Sequence, residues 1–158
     1  MSLTTEQLSA FVERLAGTVE LWEPHVRHTG DVRVYEQIWE DEDVNAWLIC
    51  WSEDQDTGFH DHDESGAAIR VLSGQVREDR LRLNGEPVSR VIEPGSTFTL
   101  APCAIHRVLH AGERPAVTLH AYSPPLTRTG AYRLGDQGEL ERVSQSFEEE
   151  LRAEAALV

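Results

Sequence analysis

The sequence predicts a mainly β, single-domain protein folded as a barrel or double-sheet jelly roll. After about residue 31, short apolar segments alternate with turn signals rich in Gly, Pro and Asn, without helical segments between them. The 158 residues, 40% of them hydrophobic, suffice for one buried core but not for two. We therefore assign residues 1–158 to one domain, with an N-terminal helical segment (1–30), a β-barrel (31–143) and a short acidic C-terminal helix (144–158).

Capping patterns predict the two helical ends. Thr4 and Gln7 form a capping box ahead of Leu8, Phe11, Val12 and Leu15, which recur at helical spacing. A second box opens the tail SFEEELRAEAALV at Ser146.

The predicted strands are rich in β-branched and aromatic residues and are bounded by turn dipeptides such as Asn84-Gly85 and Pro94-Gly95. They are VNAWLICW, AAIRVL, VREDRLRL, SRVI, STFTL, IHRVLHA and AVTLHAY.

Charge and composition exclude several kinds of partner. With 28 acidic and 14 basic side chains, the net charge of -14 would repel a nucleic acid. No apolar stretch is long enough to span a membrane, and the N-terminus lacks the basic start and apolar core of a signal peptide. The two cysteines are too few for a disulfide framework. We expect a cytoplasmic protein without nucleic-acid or membrane partners; the sequence leaves open whether it is a monomer or a homo-oligomer.

Three histidines form a candidate metal site. His60 and His62 are two residues apart, so on an extended chain their imidazoles share one face. His106 lies in a later strand that two intervening turns could return to this pair. Imidazole ligands suit iron, zinc, copper or nickel, and three protein ligands leave positions open for a substrate. The pair alone is equally compatible with exposed loop histidines. His110 shares a face with His106 but stays outside the predicted ligand set.

A polar stripe follows near the end of the barrel. Thr118, His120 and Tyr122 alternate with apolar residues, so hydroxyl, imidazole and phenol face one way. Three hydrogen-bonding groups directed into a small core need partners, and a functional cavity provides them.

Together these residues resemble the thiol dioxygenase family of the cupins, whose best-known member is cysteine dioxygenase. His60-Asp61-His62 matches the first cupin motif, Gly74 its closing glycine and His106 the histidine of the second motif. Ala67 occupies the place of the glutamate that is a fourth ligand in most cupins.

The stripe belongs to the same resemblance. Thr118, His120 and Tyr122 match the family's hydroxyl, histidine and tyrosine run, and Ser123-Pro124-Pro125 follows it. The similarity extends from about Tyr35 to Pro125.

The resemblance implies one Fe(II) per chain, held by His60, His62 and His106. It also implies that Thr118, His120 and Tyr122 are catalytic. Animal members carry a cysteine, crosslinked to the tyrosine, where this chain has Ala67, so Tyr122 is expected to be a free phenol.

The implied reaction adds O2 to the sulfur of a small carboxylated thiol and gives a sulfinate, with L-cysteine as the first expected substrate. Cysteine-specific members bind the carboxylate with an arginine two residues after a tyrosine. Here Tyr35 is followed at that spacing by Gln37, which resembles the 3-mercaptopropionate branch. Arg33 or Arg70 could supply the guanidinium instead.

Two rival interpretations remain at this stage. One is a cupin enzyme with another metal, such as a zinc or nickel isomerase or a dioxygenase for non-thiol substrates. The other is a non-catalytic metal-binding cupin that senses or stores a small ligand.

Overall fold

The computed structural model describes residues 1–152 and contains two β-sheets, an N-terminal helical segment and a short C-terminal helix. This confirms the predicted mainly β fold. The helices are α1 (Thr5–Gly17), α2 (Val19–Trp22) and α3 (Phe147–Arg152), with a 3-10 turn at Glu23–His25. The strands are β1 (Val34–Glu40), β2 (Asn45–Trp51), β3 (His60–Asp61), β4 (Gly66–Ser73), β5 (Gln75–Arg80), β6 (Val88–Ile92), β7 (Thr97–Leu100), β8 (His106–Ala111), β9 (Ala116–Ser123), β10 (Arg128–Leu134) and β11 (Leu140–Ser146).

The strands form a five-stranded sheet, in the order β1-β2-β9-β4-β7, and a six-stranded sheet, in the order β11-β10-β3-β8-β5-β6. The pairings between these named strands are antiparallel. Strands distant in sequence therefore become neighbours, which places β3 beside β8 and β9 between β2 and β4.

The central strands of the five-stranded sheet are buried on both faces. Its inner face contributes Trp51, Ile69 and Tyr122 to a core cluster, and its outer face contributes Ala68 and Leu119 to a second cluster. Helix α1 covers the outer cluster. β2 and β9 are accordingly buried along their whole length.

Helix α1 begins as the capping box predicts. Gln7 N–H donates to Thr4 Oγ1, and Thr4 N–H donates to the Gln7 side chain. The side chains of Leu8, Val12 and Leu15 are buried against the sheet. None of the described helices has the length and apolar character needed to cross a lipid bilayer.

The C-terminal part differs from the prediction in two ways. β10 and β11 form a hairpin that was absent from the predicted strands, and β11 continues to Ser146 because its residues pair with β10 as far as Arg128. The predicted start of the terminal helix at residue 144 is therefore wrong, and α3 begins at Phe147. Ser146 and Glu149 exchange the hydrogen bonds of the second capping box. The remainder of the predicted helix, 153–158, lies outside the described residues.

Gly74, the motif glycine, links β4 to β5 in a left-handed conformation with φ +67°. A Cβ at this position would collide with the backbone of Pro115 and Ala116. The close approach therefore requires glycine.

Candidate active site

The pairing of β3 with β8 brings the three candidate metal ligands together. His60 and His106 are direct partners across the two strands, and His62 follows β3 on the same side as His60. The Nε2 atoms of His60 and His62 are 3.1 Å apart, and ligand atoms of all three histidines lie within 4.8 Å of one another. All three side chains are buried.

Hydrogen bonds orient two of the rings. His60 Nδ1 donates to Gly58 O at 3.0 Å, and His106 Nδ1 donates to Glu78 Oε1 at 3.2 Å. A neutral imidazole that donates from Nδ1 has its lone pair on Nε2. His106 Nε2 is buried and finds no partner among the described residues. Its lone pair is therefore available to a bound ion.

The protonation state also suits a metal. Burial, and then the neighbouring histidines, hold the pKa of His62 and of His106 well below the usual value. Both rings are neutral near pH 7, as ligation requires. Two imidazole nitrogens about 2.1 Å from one ion and at a near-right angle would be about 3 Å apart. The His60–His62 separation matches this spacing, so the residues fit a metal bound by three imidazoles.

Asp61 anchors the histidine pair from the opposite side of β3. It accepts hydrogen bonds from Arg142 Nε and Nη2, each at 2.8 Å, and from the Tyr132 hydroxyl at 2.6 Å. Burial opposes its ionisation, but these hydrogen bonds outweigh that effect and lower the pKa of Asp61. The β10–β11 hairpin thus fixes the position of the metal-site strand.

Sequence reasoning missed Glu78, which supports His106. Its carboxylate is 1% exposed and accepts hydrogen bonds from Arg80 at 2.7 Å and Arg90 at 2.9 Å in addition to the one from His106. A carboxylate behind a ligating imidazole fixes the ring and raises its basicity. One feature of the sequence did point to it. Glu78 lies two residues after Val76, so on an extended strand its side chain shares the face of that buried residue.

Thr118, His120 and Tyr122 form a continuous hydrogen-bonded relay on β9. Trp51 Nε1 donates to Thr118 Oγ1 at 2.8 Å, and Thr118 Oγ1 lies 2.8 Å from His120 Nε2. His120 Nδ1 lies 3.0 Å from the Tyr122 hydroxyl. Since His120 Nε2 is the acceptor available to the Thr118 hydroxyl in the described part of the chain, His120 donates from Nδ1. The Tyr122 hydroxyl therefore keeps its own proton to donate elsewhere.

The relay is neutral and lies against the metal site. Burial, then His60 and Arg33, lower the pKa of His120 to about 3. Burial and Glu150 raise the pKa of Tyr122 well above its ordinary value. The Tyr122 ring packs on His62 with ring centroids 4.9 Å apart. Ala67 on β4 is the direct partner of Tyr122 on β9. The residue at which animal members of the family are expected to carry the crosslinking cysteine is therefore next to the phenol.

A narrow internal cavity joins these groups, with room for about one water molecule. Two charged side chains enter it: Arg33, ahead of β1, and Glu150, on α3. The lining residues are Arg33, Ile49, Thr57, His60, His106, Val108, His120, Tyr122, Phe147, Glu150 and Leu151.

The residues that were predicted to bind the substrate do not all reach this cavity. Arg33, Tyr35 and Gln37 alternate on one side of the chain, but only Arg33 reaches the cavity. Tyr35 lines an open groove outside, where its hydroxyl accepts a hydrogen bond from Arg152 Nε at 3.0 Å, and Gln37 is exposed. The structure therefore speaks against Gln37 as a ligand-binding residue of this cavity, because β1 leads away from it after Arg33.

Arg70 is a second correction. On β4, Ala67, Ile69 and Val71 face the core between the sheets, whereas Ala68 faces α1. Arg70 lies two residues after Ala68, so its side chain is on the same face of the strand, where it donates a hydrogen bond to Thr97 Oγ1 at 2.9 Å. It lies on the wrong face of the sheet to contact a ligand in the cavity.

Comparison with known proteins identifies the family that this chain resembles. Residues 22–134 match the family model described as cysteine dioxygenase type I. Cysteine dioxygenase type 1 of Danio rerio is 31% identical over 91 residues, covering 51% of this chain and 45% of that protein. The Rattus norvegicus protein is 29% identical over 114 residues, covering 65% and 56%. The chain thus spans about half the length of these relatives.

Solved structures support the fold. A Klebsiella pneumoniae protein with a double-stranded β-helix domain superposes with a TM-score of 0.57 at 18% identity, covering 65% of this chain and 80% of that one. An RmlC-like cupin protein from Desulfovibrio desulfuricans gives 0.54 at 20% identity, covering 64% and 91%. The barrel is therefore a cupin barrel.

Proposed function

The chain belongs to the cysteine dioxygenase type I family, and from this premise we propose that it is an iron(II)-dependent thiol dioxygenase acting on L-cysteine. In the proposed reaction both atoms of O2 are added to the substrate sulfur, and the product is cysteine sulfinate. The observation that carries the proposal is the three-histidine cluster beside the Tyr122 phenol, which still has a proton to donate.

In this proposal His60, His62 and His106 hold one Fe(II) through their Nε2 atoms. Bound there, iron(II) would supply the one-electron chemistry that closed-shell side chains lack. Three protein ligands leave positions open for small molecules, whereas a structural metal site is usually closed by four. This difference favours an enzyme over a metal-storing or ligand-sensing cupin.

The protein's own contribution is orientation and hydrogen bonding. The Tyr122 hydroxyl, held by His120, would donate to a substrate or oxygen atom at the site. Arg33 would bind the substrate carboxylate, because two of its guanidinium nitrogens are buried without a partner among residues 1–152. A guanidinium fork matches a carboxylate in geometry as well as charge.

Oxygen consumption by the iron-loaded protein tests the proposal. We expect uptake with L-cysteine to exceed uptake with 3-mercaptopropionate, cysteamine and mercaptosuccinate, with cysteine sulfinate detected by mass spectrometry. Protein loaded with zinc should consume no oxygen. The absence of uptake with every thiol, in a sample shown to contain iron, would contradict the proposal. A preference for 3-mercaptopropionate would instead identify that compound as the substrate.

Replacing Tyr122 by phenylalanine is expected to lower kcat about 100-fold, the size of effect seen when one preorganised hydrogen-bond donor is removed. Iron content, measured by inductively coupled plasma spectrometry, should be unchanged because the phenol is not among the three proposed ligands. Tyr35→Phe is the matched control, since that hydroxyl contacts Arg152 outside the cavity, and its kcat should stay within about twofold of wild type. Loss of iron from Tyr122→Phe would show that the role of the phenol has been misassigned.

A further inference from the structure

Helix α3 places a buried carboxylate in the cavity. Glu150 is 3% exposed, and it lines the cavity together with Phe147 and Leu151 of the same helix. The helix is held by packing of Phe147 against Tyr122 and Trp47, with ring centroids 5.3 Å and 5.2 Å apart. Glu150 therefore belongs to the wall that faces the metal site.

Glu150 and Arg33 are close but do not satisfy each other. Arg33 Nη2 donates to the backbone carbonyls of Glu150, at 2.8 Å, and Leu151, at 3.2 Å, while it is 3.8 Å from Glu150 Oε1. Arg33 Nε, Arg33 Nη1 and Glu150 Oε1 are all buried without a hydrogen-bond partner in the described part of the chain. The cavity thus contains two unused donors and one unused acceptor on side chains of opposite charge.

Unsatisfied charged groups in a protein interior are costly, and such groups usually have a ligand or water as partner. A molecule that carries a carboxylate and an amino group would provide an acceptor for Arg33 and a donor for Glu150 at the same time. A thiol with only the carboxylate would leave Glu150 without a donor and would place a second anion beside it. A thiol with only the amino group would leave Arg33 without an acceptor.

We infer that Glu150 is a specificity-determining residue that accepts a hydrogen bond from the amino group of the substrate while Arg33 binds its carboxylate. This inference rests on the proposed function. It assigns to the C-terminal helix the discrimination between an amino-acid thiol and a simple mercaptocarboxylate.

Anaerobic isothermal titration of the Fe(II)-loaded protein tests the inference without relying on turnover. L-cysteine and 3-mercaptopropionate differ only in the amino group, so the ratio of their dissociation constants isolates its recognition. In Glu150→Gln we expect the Kd of L-cysteine to rise about tenfold and that of 3-mercaptopropionate to stay equal or fall. Glu150→Asp, which keeps the charge, should retain a preference for cysteine.

Glu148→Gln is the matched control, because Glu148 lies on the same helix with its carboxylate exposed and paired with Arg152. It should leave both dissociation constants unchanged. Equal weakening of the two ligands in Glu150→Gln, or an unchanged ratio, would overturn the inference, as would the failure of wild-type protein to bind either thiol. A shifted ratio in a protein that consumes no oxygen would uphold Glu150 and reject the dioxygenase proposal. A thermal unfolding scan confirms that each variant is folded.

Discussion

Replacing His106 by alanine should remove iron binding and, with it, oxygen uptake. The side chain is fully buried, and its Nε2 has no partner other than the proposed ion within residues 1–152. Loss of a residue that only supports a metal ligand already costs about 10- to 100-fold in affinity or activity. Because His106 is itself a proposed ligand, we expect iron content below about a tenth of wild type and uptake reduced by more than about 100-fold.

His110→Ala is the control for this experiment. His110 lies on the same strand, β8, but its Nε2 donates to Arg114 O at 2.8 Å, away from the ligand set. We expect iron content and uptake within about twofold of wild type in this variant, as for substitutions away from a site. Full iron content in His106→Ala would contradict the three-histidine assignment, and circular dichroism would separate loss of metal from loss of fold.

The fold and the relay were predictable because both depend on local alternation. Thr118, His120 and Tyr122 share a face in any extended strand, and turn dipeptides mark most of the strand ends. His60 and His62 follow the same rule. What alternation cannot show is which strands become neighbours, so the approach of His106 to this pair came from the family resemblance and a plausible chain return.

Other features of the site depend on contacts that sequence spacing does not contain. Arg33 and Glu150 are separated by most of the chain and meet only because α3 folds back and packs through Phe147 on Trp47 and Tyr122. Glu78 lies in the run VREDR, which has the composition of a solvent-exposed strand. The β10–β11 hairpin was missed since Leu140–Ser146 is largely polar and exposed, without the apolar alternation that indicates a strand.

The proposed binding of the substrate carboxylate by Arg33 leads to the second large expected effect. Arg33→Lys keeps the positive charge beside Glu150 but loses the two-pronged geometry that matches a carboxylate. We expect kcat/KM for L-cysteine to fall about 10- to 100-fold, the worth of a hydrogen bond between charged groups, chiefly through a higher KM. Iron content should not change, because Arg33 is not a proposed ligand.

Two comparisons show whether this loss arises at the carboxylate. Cysteamine lacks that group, so any slow uptake with cysteamine should change by less than about twofold in Arg33→Lys. Gln37→Ala should leave kcat/KM for L-cysteine within about twofold of wild type, since the side chain is exposed outside the cavity. A large loss in Gln37→Ala together with normal kinetics in Arg33→Lys would return the carboxylate to Gln37. Equal losses with cysteine and cysteamine in Arg33→Lys would instead mean that Arg33 acts by anchoring α3 through the carbonyls of Glu150 and Leu151.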